Sequence, residues 1–370
     1  MELGQRAVEG LEVNQNFWRG KRVLITGHTG FKGSWLSLWL QECGAYVAGY
    51  ALPPNGPPSL FEAANVQERM RSVFGDIRDT VALTALMEDF RPEITLHLAA
   101  QALVRESYAN PVETYSVNVM GTVHFLEAVR NTPGVRVALV VTSDKCYENR
   151  EWAWGYRETE PMGGHDPYSS SKGCAELVTA AYRSSFCTGN AASPVIASAR
   201  AGNVIGGGDW AQDRLIPDIV RALQNDRPVL IRSPHAIRPW QHVLEPLNGY
   251  LTLAEHCWTE GAGCAEGWNF GPDDADARPV QWIVERMTQL WSAGARWEQD
   301  GSPHPHEAHY LKLDTSKAKM RLGLRPHLDL ATTLDWVVAW YRDQAQGADA
   351  RALTLGQIAR YQQRTEELPT

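Results

Sequence analysis

The chain has 370 residues, 44% of them hydrophobic and 21% charged, which is typical of a soluble globular protein with about two domains. Its formal net charge of −8 argues against nucleic acid as a partner. No apolar run approaches the ~20 residues that span a bilayer, so we expect no membrane partner. The six cysteines include no Cys-x-x-Cys pair, which predicts neither a zinc site nor a disulfide framework and favours the cytoplasm.

A strand, a glycine-rich turn and a helix follow one another near the start of the chain. The strand is Arg22-Val-Leu-Ile-Thr26, and the helix carries Trp35, Leu36 and Trp39. Glycines between such elements let backbone N–H groups approach a pyrophosphate, which then lies at the helix N-terminus. The turn therefore predicts dinucleotide binding by Gly27, His28, Thr29, Gly30, Phe31, Lys32 and Gly33.

The first half of the chain alternates regularly between strands and helices. Apolar strands are predicted at residues 22–26, 45–50, 72–75, 94–98, 137–141 and 195–199. This alternation is typical of an α/β protein with a Rossmann-type, doubly wound parallel sheet. One common feature is missing, because the second strand ends in Tyr50-Ala-Leu-Pro-Pro54 without an acid for the ribose hydroxyls of NAD. The residues alone therefore leave NAD and NADP open, and His28 or Lys32 could meet a 2′-phosphate.

The regular alternation is lost after residue 200. We expect residues 1–16, which lack the layout of a signal peptide, to form a flexible tail, and residues 17–200 to form the dinucleotide-binding domain. Residues 201–370 are expected to form mainly a smaller, mixed α/β substrate domain. A segment at about residues 240–260 is predicted to return to the first domain.

Reactive side chains follow the fifth predicted strand. Thr142, Asp144 and Lys145 come directly after it, and open α/β sheets place their ligands at the carboxyl ends of strands. Tyr168 and Lys172 are four residues apart, which places them on one helix face. A nearby cation favours the phenolate, whose unperturbed pKa is about 10. The pair therefore predicts a tyrosine that takes a proton from an alcohol while a hydride leaves the same carbon, although the strand end could also be a turn with an N-cap.

Two later segments carry clusters of polar residues. Arg232-Ser-Pro-His-Ala-Ile-Arg-Pro-Trp-Gln-His242 gathers arginines that suit a diphosphate, or else forms a solvated basic loop with a core tryptophan. His304, His306 and His309 lack the His-Glu-x-x-His spacing of a metal site. We therefore predict no metal.

The glycine turn and the Tyr168-x-x-x-Lys172 pair resemble the extended short-chain dehydrogenase/reductase superfamily, in its NAD-dependent epimerase/dehydratase branch. More narrowly, the chain is similar to the CDP-glucose 4,6-dehydratase family over residues 17–361. Leu324 is a small departure where an aromatic residue is expected. The strings that carry the narrower resemblance are Gly27-His-Thr-Gly-Phe-Lys-Gly-Ser-Trp35, Thr142-Ser-Asp-Lys-Cys-Tyr-Glu-Asn149, Gly163-Gly-His-Asp-Pro-Tyr-Ser-Ser-Ser-Lys172, Gly202-Asn-Val-Ile-Gly-Gly-Gly-Asp-Trp210, Arg238-Pro-Trp-Gln-His-Val243 and Leu313-Asp-Thr-Ser-Lys-Ala318.

The resemblance implies an internal redox elimination on CDP-glucose with NAD, within deoxysugar biosynthesis of the lipopolysaccharide kind. It implies that Tyr168 takes the C4 hydroxyl proton, that Lys172 keeps Tyr168 ionised, and that Thr142 hydrogen-bonds the C4 oxygen. Asp144 is then expected to protonate the departing C6 hydroxyl. Lys145 either takes the C5 proton, where related dTDP-glucose dehydratases carry Glu, or stays charged and stabilises the enolate.

The resemblance also implies further contacts and an assembly. The cofactor is expected to contact the glycine turn, Tyr168 and Lys172, together with Asp76, Ile77, Leu98, Ala99, Ala100, Gln101 and Asn118. The sugar nucleotide is expected to contact Ser143, Asn203, Arg214, Arg232, Arg238 and His242. The helices at residues 112–130 and 168–186 could pair in a homodimer or a dimer of dimers. Another sugar-nucleotide 4,6-dehydratase, a 4-epimerase and a non-catalytic dinucleotide-binding scaffold are the alternatives, and only the resemblance specifies cytosine as the base.

Overall fold

The computed structural model describes residues 13–187, 193–292, 296–302 and 310–367. The histidines at positions 304, 306 and 309, for which no metal is predicted, lie outside these residues. Within the described parts, no helix combines the length and the apolar character needed to cross a membrane.

The strands are short and their bounds agree closely with those predicted in the first half of the chain. In chain order they are β1 (Arg22–Thr26), β2 (Tyr46–Ala51), β3 (Arg71–Phe74), β4 (Ile94–His97), β5 (Val137–Val141), β6 (Val195–Ala201), β7 (Val204–Ile205), β8 (Val229–Ile231), β9 (Ile237–Pro239), β10 (Gln241–His242), β11 (Gly267–Phe270), β12 (Ala277–Pro279) and β13 (Trp297–Gln299).

The α-helices cover both faces of the sheet and the C-terminal part of the chain. In chain order they are α1 (Gln15–Trp18), α2 (Phe31–Glu42), α3 (Leu60–Ala63), α4 (Thr80–Phe90), α5 (Val104–Ala109), α6 (Pro111–Tyr115), α7 (Gly121–Asn131), α8 (Pro167–Phe186), α9 (Leu215–Gln224), α10 (Leu244–Glu260), α11 (Val280–Trp291), α12 (Ser316–Leu322), α13 (Leu330–Ala345) and α14 (Ala350–Glu367).

Seven of the strands form one sheet in the order β11-β6-β5-β4-β1-β2-β3, and every neighbouring pair in it is parallel. The chain runs outward from β1 to β3 and then returns to the other side of β1 with β4. This reversal separates the loops that follow β1 and β4 and opens a crevice at the carboxyl edge of the sheet. The predicted Rossmann-type fold is therefore confirmed.

The helix predicted at residues 112–130 is interrupted. After α6 the chain makes a π-helical turn over Ser116–Met120 before α7 begins, and single π turns inside helices often occur at functional sites. The turn places the Asn118 side chain against the loop that follows β4, where its oxygen accepts a hydrogen bond from Gln101 N at 2.8 Å.

The C-terminal half adds to the same sheet as well as forming its own small elements. β11 pairs with β6 as the seventh strand, and α10 contacts β5 and β6. Three two-stranded pairings, β10 with β7, β12 with β9 and β13 with β8, lie outside the large sheet. One hydrophobic core runs through both halves, so a domain boundary near residue 200 stays a prediction.

The start of the described chain is anchored on α10. Asn14 caps α1 through its side chain, and its backbone N–H donates to Glu255 Oε1 at 3.1 Å. Trp18 is fully buried and donates its indole N–H to the same carboxylate oxygen at 2.6 Å. Residues 13–16 of the predicted tail are therefore held against the fold, whereas residues 1–12 lie outside the described part.

Candidate active site

A cavity of about 1610 Å³ opens at the carboxyl edge of the sheet. It is lined by most of the predicted site residues, although which of them touch cofactor or substrate stays a prediction. Those that line it are Gly27, Thr29, Gly30, Phe31, Lys32, Gly33, Asp76, Ile77, Leu98, Ala99, Ala100, Gln101, Thr142, Ser143, Asp144, Lys145, Tyr168, Lys172, Asn203, Arg214, Arg232 and Arg238. Three predicted residues, His28, Asn118 and His242, lie outside it.

The glycine turn is too tightly packed for side chains at two positions. Gly27 has a φ of +79°, and a Cβ there would lie 2.6 Å from Ala99 N. A Cβ on Gly33 would lie 2.1 Å from Gly27 O. The backbone can therefore close over the start of α2, whose first N–H groups carry the positive end of the helix dipole. This arrangement fits a pyrophosphate.

His28 faces away from the cavity. Its Nε2 atom shares a hydrogen bond of 2.7 Å with Ser72 Oγ, and its ring meets the edge of Phe61. Burial lowers the pKa of His28 to about 4. The predicted cofactor contact of this side chain, including a 2′-phosphate contact, is therefore not supported.

Lys32 lies at the reactive end of the cavity. Its amine is 3.5 Å from the Tyr250 hydroxyl. Burial, with smaller contributions from the charges of Lys172 and Arg214, lowers the pKa of Lys32 to about 7, and Asp144 opposes this lowering. The Lys32 amine thus faces the Tyr168–Lys172 region. The position of Lys32 in the glycine turn of the sequence does not predict this direction.

Tyr168 and Lys172 lie in the first turns of α8. Pro167 occupies the first helical position and the Asp166 side chain accepts from Ser169 N at 2.9 Å, both of which favour a helix start. Burial raises the pKa of Tyr168 to about 12 and lowers the pKa of Lys172 to about 8. The expected lowering of the phenol pKa by Lys172 is thus absent from this ligand-free arrangement, because burial dominates.

The Tyr168 hydroxyl is partnered by Ser143 and not by Thr142. The Ser143–Tyr168 hydrogen bond lowers the pKa of Tyr168 against the larger effect of burial. Thr142 Oγ1 donates instead to Glu176 Oε1 at 2.5 Å, on the other side of the segment. Side chains of consecutive residues in extended backbone point in opposite directions, so the two hydroxyl groups have different partners although both residues line the cavity. The predicted role of Thr142, a hydrogen bond to the C4 oxygen, stays a prediction, and the contact with Tyr168 makes Ser143 the other candidate for it.

Asp144 is 2% exposed and has one free acceptor. Its Oδ1 accepts from Ser143 Oγ at 3.0 Å, whereas Oδ2 is buried and has no hydrogen-bond partner among the described residues. Leaving such an oxygen unpaired costs about 1–3 kcal/mol. Gly202 packs directly on it, since a Cβ at that position would lie 1.8 Å from Oδ2. The carboxyl group is thus fixed between Ser143 and Gly202 at the edge of the cavity.

Arginines approach the cavity from the C-terminal half. Arg214 pairs with Asp209 at 3.0 Å, and the Asp209 charge is the largest of the effects that raise the pKa of Arg214. Arg232 pairs with Asp213 at 2.8 Å, and Asp213 in turn pairs with Arg105 of α5 at 3.1 Å. These guanidinium groups suit the bidentate binding of a diphosphate.

His242 lies in the core and not in the cavity. It is fully buried, with its ring 5.8 Å from that of Trp35 and 5.6 Å from that of Trp336. Burial lowers its pKa to about 3. The predicted substrate contact of His242 is therefore not supported.

Asn118 supports the site from behind. Its amide group donates to Gln101 O at 2.9 Å and to Ser171 Oγ at 2.8 Å. It thereby ties the loop after β4 to α8, the catalytic helix, and its predicted contact with the cofactor stays a prediction. Glu176, Arg200 and Tyr250 also surround the site, and the sequence reasoning missed all three. Of the three, only Glu176 could have been suggested by the sequence, because it lies four residues after Lys172 and therefore on the same helix face.

A parallel doubly wound sheet with a tyrosine–lysine pair at its carboxyl edge defines the extended short-chain dehydrogenase/reductase class. A family model described as GDP-mannose 4,6 dehydratase matches residues 24–336, and the chain belongs to this family of dehydratases. The chain is 56% identical over 358 residues to a CDP-glucose 4,6-dehydratase of Salmonella typhimurium, covering 95% of this chain and 99% of that protein.

More distant relatives keep the same fold. The chain is 26% identical over 344 residues to a dTDP-glucose 4,6-dehydratase of Xanthomonas campestris pv. campestris, covering 85% and 92% of the two chains. The structure of DesIV, a dTDP-glucose 4,6-dehydratase from Streptomyces venezuelae with NAD and TYD bound, matches with a TM-score of 0.76 at 24% identity, covering 88% and 98%. UDP-glucose 4-epimerase of Thermotoga maritima matches with a TM-score of 0.75 at 20% identity, covering 88% and 99%.

Proposed function

We propose that the protein is a hydro-lyase that converts CDP-glucose into CDP-4-dehydro-6-deoxyglucose with NAD as a recycled cofactor. The observation that carries the proposal is the buried Asp144 carboxyl group, which accepts a hydrogen bond from Ser143 at 3.0 Å and whose charge acts on Tyr168. A 4-epimerase needs a tyrosine and a nicotinamide but no acid for loss of water. The 56% identity to the Salmonella CDP-glucose 4,6-dehydratase supports the same reaction and the same nucleotide.

NAD fits the cradle that the glycine turn forms. Backbone N–H groups at the start of α2 would hold the pyrophosphate, because the missing side chains of Gly27 and Gly33 let the turn pack closely against this helix start. Asp76 and Ile77 border the cavity beyond β3, where we place the adenine. NAD, when bound, accepts a hydride from C4 of the sugar and returns it to C6. Several solved structures with this fold contain NAD, which supports the choice of cofactor.

The first step is proton removal from the C4 hydroxyl. Tyr168 takes this proton, Ser143 hydrogen-bonds the same oxygen, and Lys172 supplies a positive charge that favours the phenolate. Because burial raises the pKa of Tyr168, the phenol needs the positive charge of Lys172 in order to ionise once substrate and cofactor have displaced water. Proton removal, together with loss of the C4 hydride for which bound NAD would be the acceptor, turns C4 into a ketone.

The second step is loss of water across C5 and C6. The C4 ketone acidifies the C5–H bond, and Asp144 gives a proton to the departing C6 hydroxyl. We assign removal of the C5 proton to Lys145, which lines the cavity next to Asp144. Lys32 is a second amine at this end of the cavity. Variants at Lys145 are therefore needed to show whether Lys145 itself takes the C5 proton or stays charged and stabilises the enolate.

The diphosphate and the base bind in the C-terminal half. We assign the diphosphate to Arg214, Arg232 and Arg238, which line the cavity, and place Asn203 beside the sugar. Recognition of cytosine follows from the Salmonella relative alone.

We further propose that the enzyme is a cytoplasmic homodimer or dimer of dimers. Apolar side chains are exposed on the two helices predicted to pair, including Leu177 at 60% and Met120 at 46%. All six cysteines are free, which is usual in a reducing compartment. Sedimentation velocity of the protein and of Leu177→Glu tests the assembly, and a monomeric wild-type protein would contradict it.

Product analysis tests the reaction. Incubation with CDP-glucose carrying deuterium at C4, together with NAD, should give a 4-keto-6-deoxy sugar with the deuterium at C6. A C4-inverted sugar would indicate an epimerase, and absence of turnover would indicate a binding scaffold. A panel of other nucleoside diphosphate glucoses, with ADP-, GDP-, UDP- and dTDP-glucose as competitors, tests the base. Deuterium lost to solvent would contradict the internal hydride return.

A further inference from the structure

Glu176 is a buried carboxylate on the catalytic helix, one turn after Lys172 and 4% exposed. We infer that Glu176 is a positioning residue of the active site, which keeps Lys172 protonated and fixes the catalytic helix against the ends of β5 and β6. This inference rests on the proposed function, in which charged Lys172 supports Tyr168. It adds the Glu176 anion to the groups that take part in the proposed reaction, which are Tyr168, the lysines and Asp144.

The contacts of Glu176 join three segments of the chain. Its Oε1 accepts from Thr142 Oγ1 at 2.5 Å, directly beyond β5. Its Oε2 accepts from Ser198 Oγ at 2.7 Å and from Arg200 Nη2 at 2.8 Å, both on β6. Because α8 also carries Tyr168 and Lys172, the carboxylate fixes their distance from Ser143, the residue after Thr142.

Arg200 extends the network along the turn after Asp144. Its Nη1 atom donates to the Tyr147 hydroxyl at 2.6 Å and to Glu158 O at 3.1 Å. Tyr147 donates onward to Asn269 Oδ1 at 2.7 Å. Glu176 and Arg200 have side chains only 4% and 6% exposed, and interactions between charges are strong in such a medium of low dielectric constant.

Glu176 is ionised despite its burial. Burial opposes ionisation, but the Arg200 charge and the hydrogen bonds from Arg200, Thr142 and Ser198 outweigh it, so the pKa of Glu176 lies below its usual value. The charge of Arg183, on the same helix, also faces this carboxylate. The site therefore holds a permanent negative charge beneath Lys172.

Burial also disfavours the charged form of Lys172. Burial lowers its pKa to about 8, and the charge of Glu176 is the largest effect that opposes this lowering. The other titratable groups whose charges act on Lys172 are Cys146 after β5, His97 on β4 and Lys32 on α2, and Tyr168 lies one turn earlier on the same helix.

These other groups bring no anion near neutral pH. Burial raises the pKa of the Cys146 thiol well above its usual value and the pKa of Tyr168 to about 12. Burial lowers the pKa of His97 to about 3, and Lys32 can add only positive charge. Among the titratable groups that face Lys172 in the described structure, Glu176 alone therefore stabilises the ammonium form, beside the long hydrogen bond of 3.5 Å from Lys172 Nζ to Val141 O.

The test compares a single and a double variant. Glu176→Gln removes the anion, so the pKa of Lys172 should fall and the alkaline limb of the pH–rate profile should move about one unit to lower pH, a tenfold loss of rate above that limb. This variant leaves the Arg200 charge buried without a partner, which can prevent folding. Glu176→Gln/Arg200→Met removes both charges, so it should fold while the limb stays displaced. Asp335→Asn breaks an exposed pair with Arg286 and is the control for a general loss of charge.

A second measurement needs no turnover. In the ligand-free protein labelled with ¹³C at lysine Cε, the Lys172 resonance is identified by its disappearance in Lys172→Met, and its titration is followed by NMR. We expect the midpoint of the folded double variant to lie about one pH unit below that of the wild type. An unchanged midpoint in the folded double variant would overturn the inference. It would show that Glu176 supports the structure without influencing the protonation of Lys172. Failure of the wild type to convert CDP-glucose would refute the proposed function and leave this measurement decisive for Glu176.

Discussion

Two neighbouring hydroxyl groups at the end of β5 should differ in their roles, one supporting catalysis and the other supporting stability. Ser143 and Thr142 are neighbours, yet Ser143 contacts Tyr168 and Asp144, whereas Thr142 donates to Glu176. We predict that Ser143→Ala mainly lowers kcat and that Thr142→Val mainly lowers stability. Each variant removes one hydroxyl group from neighbouring positions, so each is a control for the other.

The magnitudes follow from the contacts. Loss of one preorganised donor at a reacting oxygen typically costs about 10²–10³ in kcat, and we expect about 10² for Ser143→Ala because Tyr168 still contacts the C4 oxygen. The same change removes a hydrogen bond that lowers the pKa of Tyr168, so the limb of the pH–rate profile that reports Tyr168 should move to higher pH. Thr142→Val removes one of three donors to Glu176, which should cost about 1–3 kcal/mol of stability and less than tenfold in kcat.

Steady-state turnover of CDP-glucose between pH 6 and 10, together with urea unfolding, measures both effects. The reasoning would be refuted by a Thr142→Val protein of normal stability that has lost as much kcat as Ser143→Ala. Normal kcat in Ser143→Ala would equally remove Ser143 from the site.

Three other variants test single steps. Asp144→Asn should allow C4 oxidation and stop the loss of water, so that bound NADH accumulates and is seen by its absorbance; unreduced cofactor would contradict the order of steps. Lys145→Met and Lys145→Arg should both stop at the same stage, whereas turnover by the charged Arg variant would identify Lys145 as a stabiliser of the enolate. Gly33→Ala should abolish NAD binding in calorimetry, because its Cβ would lie 2.1 Å from Gly27 O, whereas Gly263→Ala, with open space around it, should bind NAD normally.

The fold was largely predictable because its signals are local. Buried parallel strands such as Val137–Val141 read as continuous apolar runs, and helices separate them at regular intervals. β11 was missed because a short strand at residues 267–270 that joins the sheet beside β6 has no local pattern. The π-helical turn at Ser116–Met120 was missed for a similar reason, since its helical periodicity continues on both sides.

The site was only partly predictable because the direction of a side chain depends on distant contacts. Thr142 and Ser143 carry the same functional group, and only the position of Tyr168 shows which of the two is its hydrogen-bond partner. His242 follows an arginine-rich loop in sequence but packs between Trp35 and Trp336. Lys32 looked like a phosphate ligand, and its approach to Tyr250 could not be read from the glycine turn.

The contact of Gly202 with Asp144 links the evolution of two loops. Because the Asp144 oxygen occupies the place of a Cβ at position 202, any larger residue there would require a smaller or displaced residue at 144. Change at one of these positions is therefore coupled to change at the other. A chain that has lost the acid would be free to vary at position 202, which offers a way to recognise members of the fold that no longer eliminate water.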